Sequence, residues 1–438
     1  MIEFSRKIPL IEDYEVIVVG GGPSGCAAAA ASARGGAKTL LIESSSSLGG
    51  LGTNGLVPFW CGFSNGGKLC CRSIAQTVLE ETCRLMNDEL YIGVKEGADN
   101  PEKFPWRVGI DAEALKRVYD DLVTGFGASI LFNTTLIGVN TDGNGNVENI
   151  IVNNQSGLTA YKAKVYIDCT GMGDLIAEAG AEYTLGNAEG KMQAGTMCFT
   201  LSGVNMEEYK KVPAYKIYPV DKEKYKYIID NHSTTAVISE QRLGVNAGHV
   251  MDVDGTNAKN ISESLIKGRR LVNEIVLRLK ELYPQIYGNA KLEKTATMFG
   301  VREGRIIKGE YTLTEEDYLG RRIFEDEIAR NCYEFDSHDM FNSKETDNYE
   351  VAYKAGESHG IPYRCLIPKA LNNVLVAGRI ISATRRVMGS VRVMATCLAT
   401  GEGAGTAAAQ SVKDMVSIRE VDIQKIRKTL KDNGAFIL

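Results

Sequence analysis

Three glycines, one acid and a crowd of arginines carry the chemistry legible in this sequence. The spacing Gly20-x-Gly22-x-x-Gly25, with Pro23 and Ser24 inside it, Ala29 one turn on and Glu43 further along, suits a dinucleotide. Gly20 permits a tight turn, Gly22 lets backbone approach a pyrophosphate, and Gly25 and Ala29 let a helix lie close to a strand. The helix that opens there offers unpaired N–H groups and about half a positive charge to the phosphates. Glu43 accepts hydrogen bonds from ribose hydroxyls. Glycine turns are common, but one that follows a β-branched run, opens a helix and is answered by an acid ending the next strand is specific. These residues by themselves leave NAD and FAD both open.

Arg302, Arg305, Arg364, Arg379, Arg385, Arg386 and Arg392 form the second set, in a chain whose net charge is −5. A guanidinium holds a carboxylate through two parallel bonds, so the cluster points to an anionic or oxygen-rich substrate, with Arg302, Arg305 and Arg386 as the leading contacts. His338, in Phe335-Asp-Ser-His338, suits a general base, and His359 is a second choice. Phe59 and Trp60 are placed to wall a pocket. The four histidines show no metal-ligand spacing, and the ten cysteines contain no Cys-x-x-Cys pair, so neither a metal nor a dithiol centre is expected.

The elements that must position these residues follow from pattern. Tyr14–Val19 reads as a strand, Cys26–Arg34 as a small-residue helix and Thr39–Ile42 as the next strand, which together make a βαβ unit. Ser44–Asn65 is a serine- and glycine-rich binding loop. Asp111 caps an amphipathic helix to Phe126 whose stripe is Leu115, Val118, Tyr119 and Leu122. Strands are expected over 129–142 and 147–152, joined by the glycine turn Asp142–Asn146, and over Lys164–Asp168, which runs into Thr170 and Gly171. Residues 188–360 are poorer in glycine and richer in tyrosine and charge, with long helices expected at 261–283 and 315–330. Asn373–Gly378 repeats the strand-into-glycine pattern, and Gly389, Ser390 and Val391 begin a last long helix. The chain thus divides into a discontinuous unit, 1–187 with 361–438, and an inserted unit, 188–360.

At 438 residues, with 44% apolar and 24% charged side chains, the chain has the composition of an ordinary globular protein of about three domains, or two with one interrupted. Its acidic balance argues against a nucleic-acid partner. The longest apolar window, Val16–Ala33, is broken by four glycines and Pro23, so no membrane partner is expected. No secretory h-region follows Arg6 and Lys7, which predicts a cytoplasmic protein. Self-association is left open.

Val18-Val-Gly-Gly-Gly-Pro-Ser-Gly25, Glu43 and Leu48-Gly-Gly-Leu-Gly-Thr-Asn-Gly55 resemble the opening of FAD-dependent oxidoreductases related to the fumarate reductase and succinate dehydrogenase flavoproteins. Ile167–Asp174 resembles that family's strand ending in Ala-Thr-Gly, with Cys169 in place of the alanine. Gly300–Arg305, Gly309–Thr314, Ile361–Arg364, Leu375–Ala383 and Gly389–Met394 look like the blocks of one bacterial branch. The resemblance implies an α/β protein: a glutathione-reductase-type, Rossmann-like FAD domain with an inserted α+β cap. It implies that Gly49, Gly50 and Thr53 line the diphosphate and ring, that Gly378 ends the second flavin strand, and that Arg379 stands where many relatives carry a ribitol-binding acid. It also implies that the start of the last helix, Gly389–Val391, faces the ring. No histidine precedes His232, so the FAD is expected to be non-covalent.

The expected activity is hydride transfer between the flavin N5 and a small, anionic organic substrate, with an electron partner that the sequence does not name. Two alternatives use the same fold: a nucleotide-dependent modifying enzyme, of thiazole-synthase-like or RNA-modifying type, and a binding protein that has lost redox chemistry.

Overall fold

The computed structural model describes residues 2, 5–100, 104–105, 107–212, 216–338 and 353–438. Val16–Val19 is buried at every position and sits at the centre of a five-stranded parallel sheet in the order 374–376, 165–168, 16–19, 39–42, 129–131. Continuous β-branched and aliphatic runs such as Thr39–Ile42 belong in a parallel sheet, because both faces are covered. The helix Pro23–Arg34 follows the central strand and lies against Met394–Asp414. That approach explains part of the glycine excess. A Cβ on Gly401 would fall 2.1 Å from the Ser24 carbonyl oxygen, and one on Gly405 would fall 2.2 Å from that of Ala28.

The helix Ala112–Gly125 has the expected cap, with the Asp111 side chain accepting from the Glu113 N–H, and its stripe is buried. Residues 129–142 do not form the one strand expected. Ser129–Leu131 joins the parallel sheet, Asn133 turns through a φ of +50°, and Thr135–Thr141 enters a second sheet. There it pairs with Val147–Asn154 across the predicted Asp142–Asn146 turn. Gly157–Tyr161 and Leu10–Ile11 complete that sheet.

A third, antiparallel sheet runs in the order 233–239, 242–247, 199–202, 291–295. It is backed by the helix Ala258–Leu282, which begins at an Asn257 cap and matches the pattern read at 261–283. Met197, Phe199, Leu243, Leu271, Ile275 and Val301 form its separate apolar cluster. Ile306, Leu313, Tyr318, Phe324, Ile328 and Ile361 pack instead into the cluster around the parallel sheet.

The long helix expected at 315–330 is a correction. Only Glu315–Leu319 is helical, Arg321 has a φ of +52°, and Glu327–Asn331 is a fully buried strand paired with His359–Pro362. Tertiary pairing overrides the local pattern here. The Arg330–Glu327 spacing that suggests a helical ion pair is satisfied in an extended chain, at 2.8 Å. No helix among the described residues is long and apolar enough to cross a membrane.

Candidate active site

The glycine turn is built as its residue types require. Gly20 has a φ of +98°, and a Cβ there would lie 2.5 Å from the Cys169 carbonyl oxygen; at Gly25 it would lie 1.7 Å from that of Gly20. Gly22 is the opposite case, since a Cβ on it meets nothing within 4 Å. It borders an open groove of about 270 Å³ lined also by Gly20, Pro23, Ser24, Glu43, Gly50, Thr170, Gly171 and Arg379. Glu43 accepts the Gly21 N–H at 2.6 Å and the Ser45 N–H at 2.7 Å, one on each carboxylate oxygen. The oxygen facing Ser45 also accepts the Ser44 hydroxyl at 3.4 Å, and the oxygen facing Gly21 keeps a lone pair for a further donor.

Other expected cofactor residues stand behind the groove. Gly49, at a φ of +101°, starts a 3-10 turn whose Thr53 hydroxyl donates to the Leu48 carbonyl at 2.6 Å. Gly378 packs the last sheet strand onto Ser24, where a Cβ would meet the hydroxyl at 2.7 Å. Gly389, Ser390 and Val391 do not begin the last long helix. They lie buried in the short helix Arg385–Val391, the chain turns at Arg392 and Val393, and the long helix starts at Met394. Gly389 abuts the Asp336 carbonyl, and the Ser390 hydroxyl donates to that of Tyr333. Thr134, Thr135 and Leu136, which follow the edge strand, line the groove without having been read as site residues.

A second cavity, of about 320 Å³, meets the groove at Leu51, Arg392 and Met394. Of the three arginines ranked first, Arg302 alone lines it. Its guanidinium donates to the Ala194 carbonyl at 2.8 Å and the Thr196 hydroxyl at 2.9 Å, and burial beside Arg392 lowers it to about 10. Arg305 pairs with Asp174 at 3.0 Å, and Arg386 lies over the Phe335 ring. Arg364 and Arg385 are paired with Asp326 and Glu303. Arg379 donates to the Gly171 and Val301 carbonyls, which ties the wall of the groove together. Arg392, at the junction, donates to Asp336 at 3.3 Å, and its buried Nε–H has no acceptor among the described residues.

His338 lines this cavity and His359 does not. His359 is fully buried against Tyr353 and Tyr318. Phe59 forms part of the cavity wall, and Trp60 lies in the core. Although their sequence spacing suggests nothing, His232, His249 and His338 converge, with ring nitrogens within 4.8 Å of one another. Burial, then Arg302, lower His232 to about 2 and His338 to about 3, so both face the cavity neutral. Asp336 stays ionised: burial raises it, but the His338 hydrogen bond and the neighbouring arginines prevail. Burial and Asp336 raise the Cys61 thiol to about 12, which removes it as a nucleophile.

Residues 15–430 match the family described as FAD dependent oxidoreductase. The chain belongs to that family. The oxidoreductase is similar to a geranylgeranyl bacteriochlorophyll reductase-like protein from Thermoplasma acidophilum, at 14% identity over 98% of this chain and 85% of that one, TM-score 0.49. It is also similar to the p-nitrophenol 4-monooxygenase of Pseudomonas putida, at 12% identity over 96% and 81%, TM-score 0.45. No curated protein matches it. Its fold is the α/β, Rossmann-like FAD-binding fold with additional sheets, and its cofactor is FAD.

The groove of this oxidoreductase fits that cofactor. The empty space over Gly22 at a helix N-terminus suits a diphosphate, Glu43 suits the ribose, and the orphaned Arg392 Nε–H stands where groove and cavity meet. Sequence reasoning passed over His232, Asp336 and Met394 as site residues. Asp336 had a signal available, two residues before His338, whereas His232 had none.

Proposed function

We propose that the oxidoreductase exchanges a hydride between its flavin and a small anionic organic substrate held in the second cavity. One observation carries this reading: Arg302 and Arg392 stand together in a cavity that opens onto the cofactor groove at Arg392 and Met394. FAD supplies the hydride acceptor or donor at N5. Arg392, with its unpartnered Nε–H, and Arg302 orient the anion and stabilise charge on its oxygens. Phe59 and Val57 exclude water from one side. His338 handles the proton that accompanies the hydride. An anion beside Arg302 offsets the cation that depresses His338, so the ring binds a proton more readily once substrate is present.

The narrower kinship to fumarate reductase and succinate dehydrogenase flavoproteins, non-covalent attachment of the FAD, and the division into an FAD unit and an inserted cap belong to this proposal. Its apolar cluster argues for a cap centred on residues 197–301. The N–H groups that face the ring are assigned to the helix starting at Met394, in place of Gly389–Val391.

An anaerobic screen tests the reading. Small hydroxy acids and keto acids are offered beside neutral polyols while flavin absorbance is followed. At least one anion is expected to change the flavin redox state, and Arg302→Lys is expected to keep its FAD while slowing that change about tenfold or more. Response to neutral compounds alone, or a parental rate in Arg302→Lys, overturns it.

A further inference from the structure

Behind the cavity wall the histidines form a continuous chain with two aspartates. Asp230 Oδ2 lies 2.8 Å from His249 Nδ1, His249 Nε2 lies 2.8 Å from His338 Nδ1, and His338 Nε2 lies 3.0 Å from Asp336 Oδ1. His338 and Asp336 line the cavity. His249 is buried, and Asp230, at the far end, keeps 15% of its side-chain surface exposed.

Counting hydrogens makes the chain informative. Three links need three hydrogens, and two neutral imidazoles supply only two. Neither carboxylate supplies the third: burial raises both, but the bonds from His249 and His338 prevail and leave each below its usual range. With both rings neutral, one link would therefore set two lone pairs against each other inside the protein, a costly arrangement.

We propose that His249 carries the missing hydrogen as an imidazolium, and that Asp230, His249, His338 and Asp336 form a relay moving protons between the cavity and solvent. His249 then donates through Nδ1 to Asp230 and through Nε2 to His338, and His338 donates through Nε2 to Asp336. Charge favours a single proton in the central gap over a divalent ion. The two aspartates cancel Arg302 and Arg392, and Arg107 and Glu334 are a further opposed pair lining the cavity, so the proton leaves one net positive charge where a divalent ion leaves two. The third ring, His232, stacks on His249 with centroids 4.3 Å apart and holds its Nε2 3.4 Å from an Arg302 nitrogen, a neighbour that repels a metal ion.

Use of the relay in turnover rests on the hydride-transfer reading; its protonation does not. As a substrate carbonyl carbon accepts the hydride, its oxygen takes a proton from the His338–Asp336 link. His249 Nε2 passes its proton to His338 Nδ1, leaving both rings neutral. Once both imidazoles have turned over, so that their N–H groups again face the cavity side, a solvent proton reaches the vacant His249 nitrogen through Asp230. Oxidation of the hydroxyl form runs the same bonds in reverse. His249 and Asp230 are positioning and relay residues that do not touch substrate.

Nitrogen-15 histidine NMR of the FAD-loaded protein at neutral pH tests the protonation without any substrate. His249 is expected to show both ring nitrogens protonated and His338 only Nε2, with the His338 pattern changed in His249→Gln and in Asp230→Asn. Two neutral rings, or stoichiometric Zn²⁺ binding that is lost in His249→Gln, overturns the proposal. With a substrate from the screen, His249→Gln is expected to keep its FAD and KM, lose about tenfold in kcat and flatten the pH profile. Asp230→Asn repeats the test should His249→Gln fail to fold. An unchanged pH profile in both variants overturns the relay even where hydride transfer itself stands.

Discussion

Gly22 and Glu43 show how much one residue type can commit at the residue scale. Gly22 has no neighbour within 4 Å of a Cβ and a φ of −70°, so the fold itself accepts a side chain there. We propose that the space receives the FAD diphosphate. Gly22→Val is therefore expected to melt within a few degrees of the FAD-stripped parent and to purify with most of its FAD missing, as absorbance and thermal denaturation together would show. A variant that keeps full FAD content removes Gly22 from the phosphate site. Both residues stand out in the sequence because the motif encodes contacts within one strand, loop, helix and strand unit. Glu43 adds what the motif does not spell out, holding the Gly21 and Ser45 N–H groups as well as facing the groove.

Between elements, glycines mark where two backbones touch. The Pro23–Arg34 and Met394–Asp414 helices meet at Gly401, where a Cβ would sit 2.1 Å from the Ser24 carbonyl oxygen, so no rotamer relieves the clash. Gly401→Ala is expected to cost about 3 kcal/mol by overpacking and to disturb Ser24 at the mouth of the groove. Gly125, at the end of its helix with nothing within 4 Å, is the control. Gly125→Ala should be neutral or stabilise by about 0.5 kcal/mol. Denaturant unfolding of the two variants checks both signs, and equal effects would contradict the close approach. Elements with a strong local period, such as Asp111–Phe126 and 261–283, were readable from sequence. The strand Glu327–Asn331 was not, because it is specified by its partner His359–Pro362 some thirty residues away.

At the scale of the whole molecule, burial of histidine fixes how stability answers to pH. His232 is lowered to about 2, and His338 and His359 to about 3, with burial the leading cause in each. An unfolded histidine titrates near ~6.5. The unfolded chain therefore binds protons that the folded one refuses, so this stability is fully present above about 6.5 and is lost as pH falls toward about 3. At pH 5 each such ring costs about 2 kcal/mol. His359 lies outside the cavity and isolates the effect. His359→Gln is expected to lower stability at pH 8 but to reduce the drop in Tm between pH 7 and pH 5. An unchanged pH slope would mean that His359 is not held neutral.

By itself the sequence determined the glycine loop, the strands that carry it, a dinucleotide-type α/β fold and the absence of a long apolar span, because each is written in patterns local along the chain, whereas FAD in place of NAD came from the family resemblance. Tertiary structure decided which arginine enters the cavity. Arg302, Arg305 and Arg386 look alike in sequence, yet Arg302 is drawn inward by the Ala194 carbonyl and the Thr196 hydroxyl, while Arg305 is paired with Asp174 and Arg386 lies over Phe335. It also decided the histidine chain. His232 precedes one strand of the third sheet, His249 follows the next, and His338 arrives from beyond both. Hydrogen bonds between side chains so far apart in sequence leave no period or spacing to read; they exist only once sheet pairing has fixed where each ring stands.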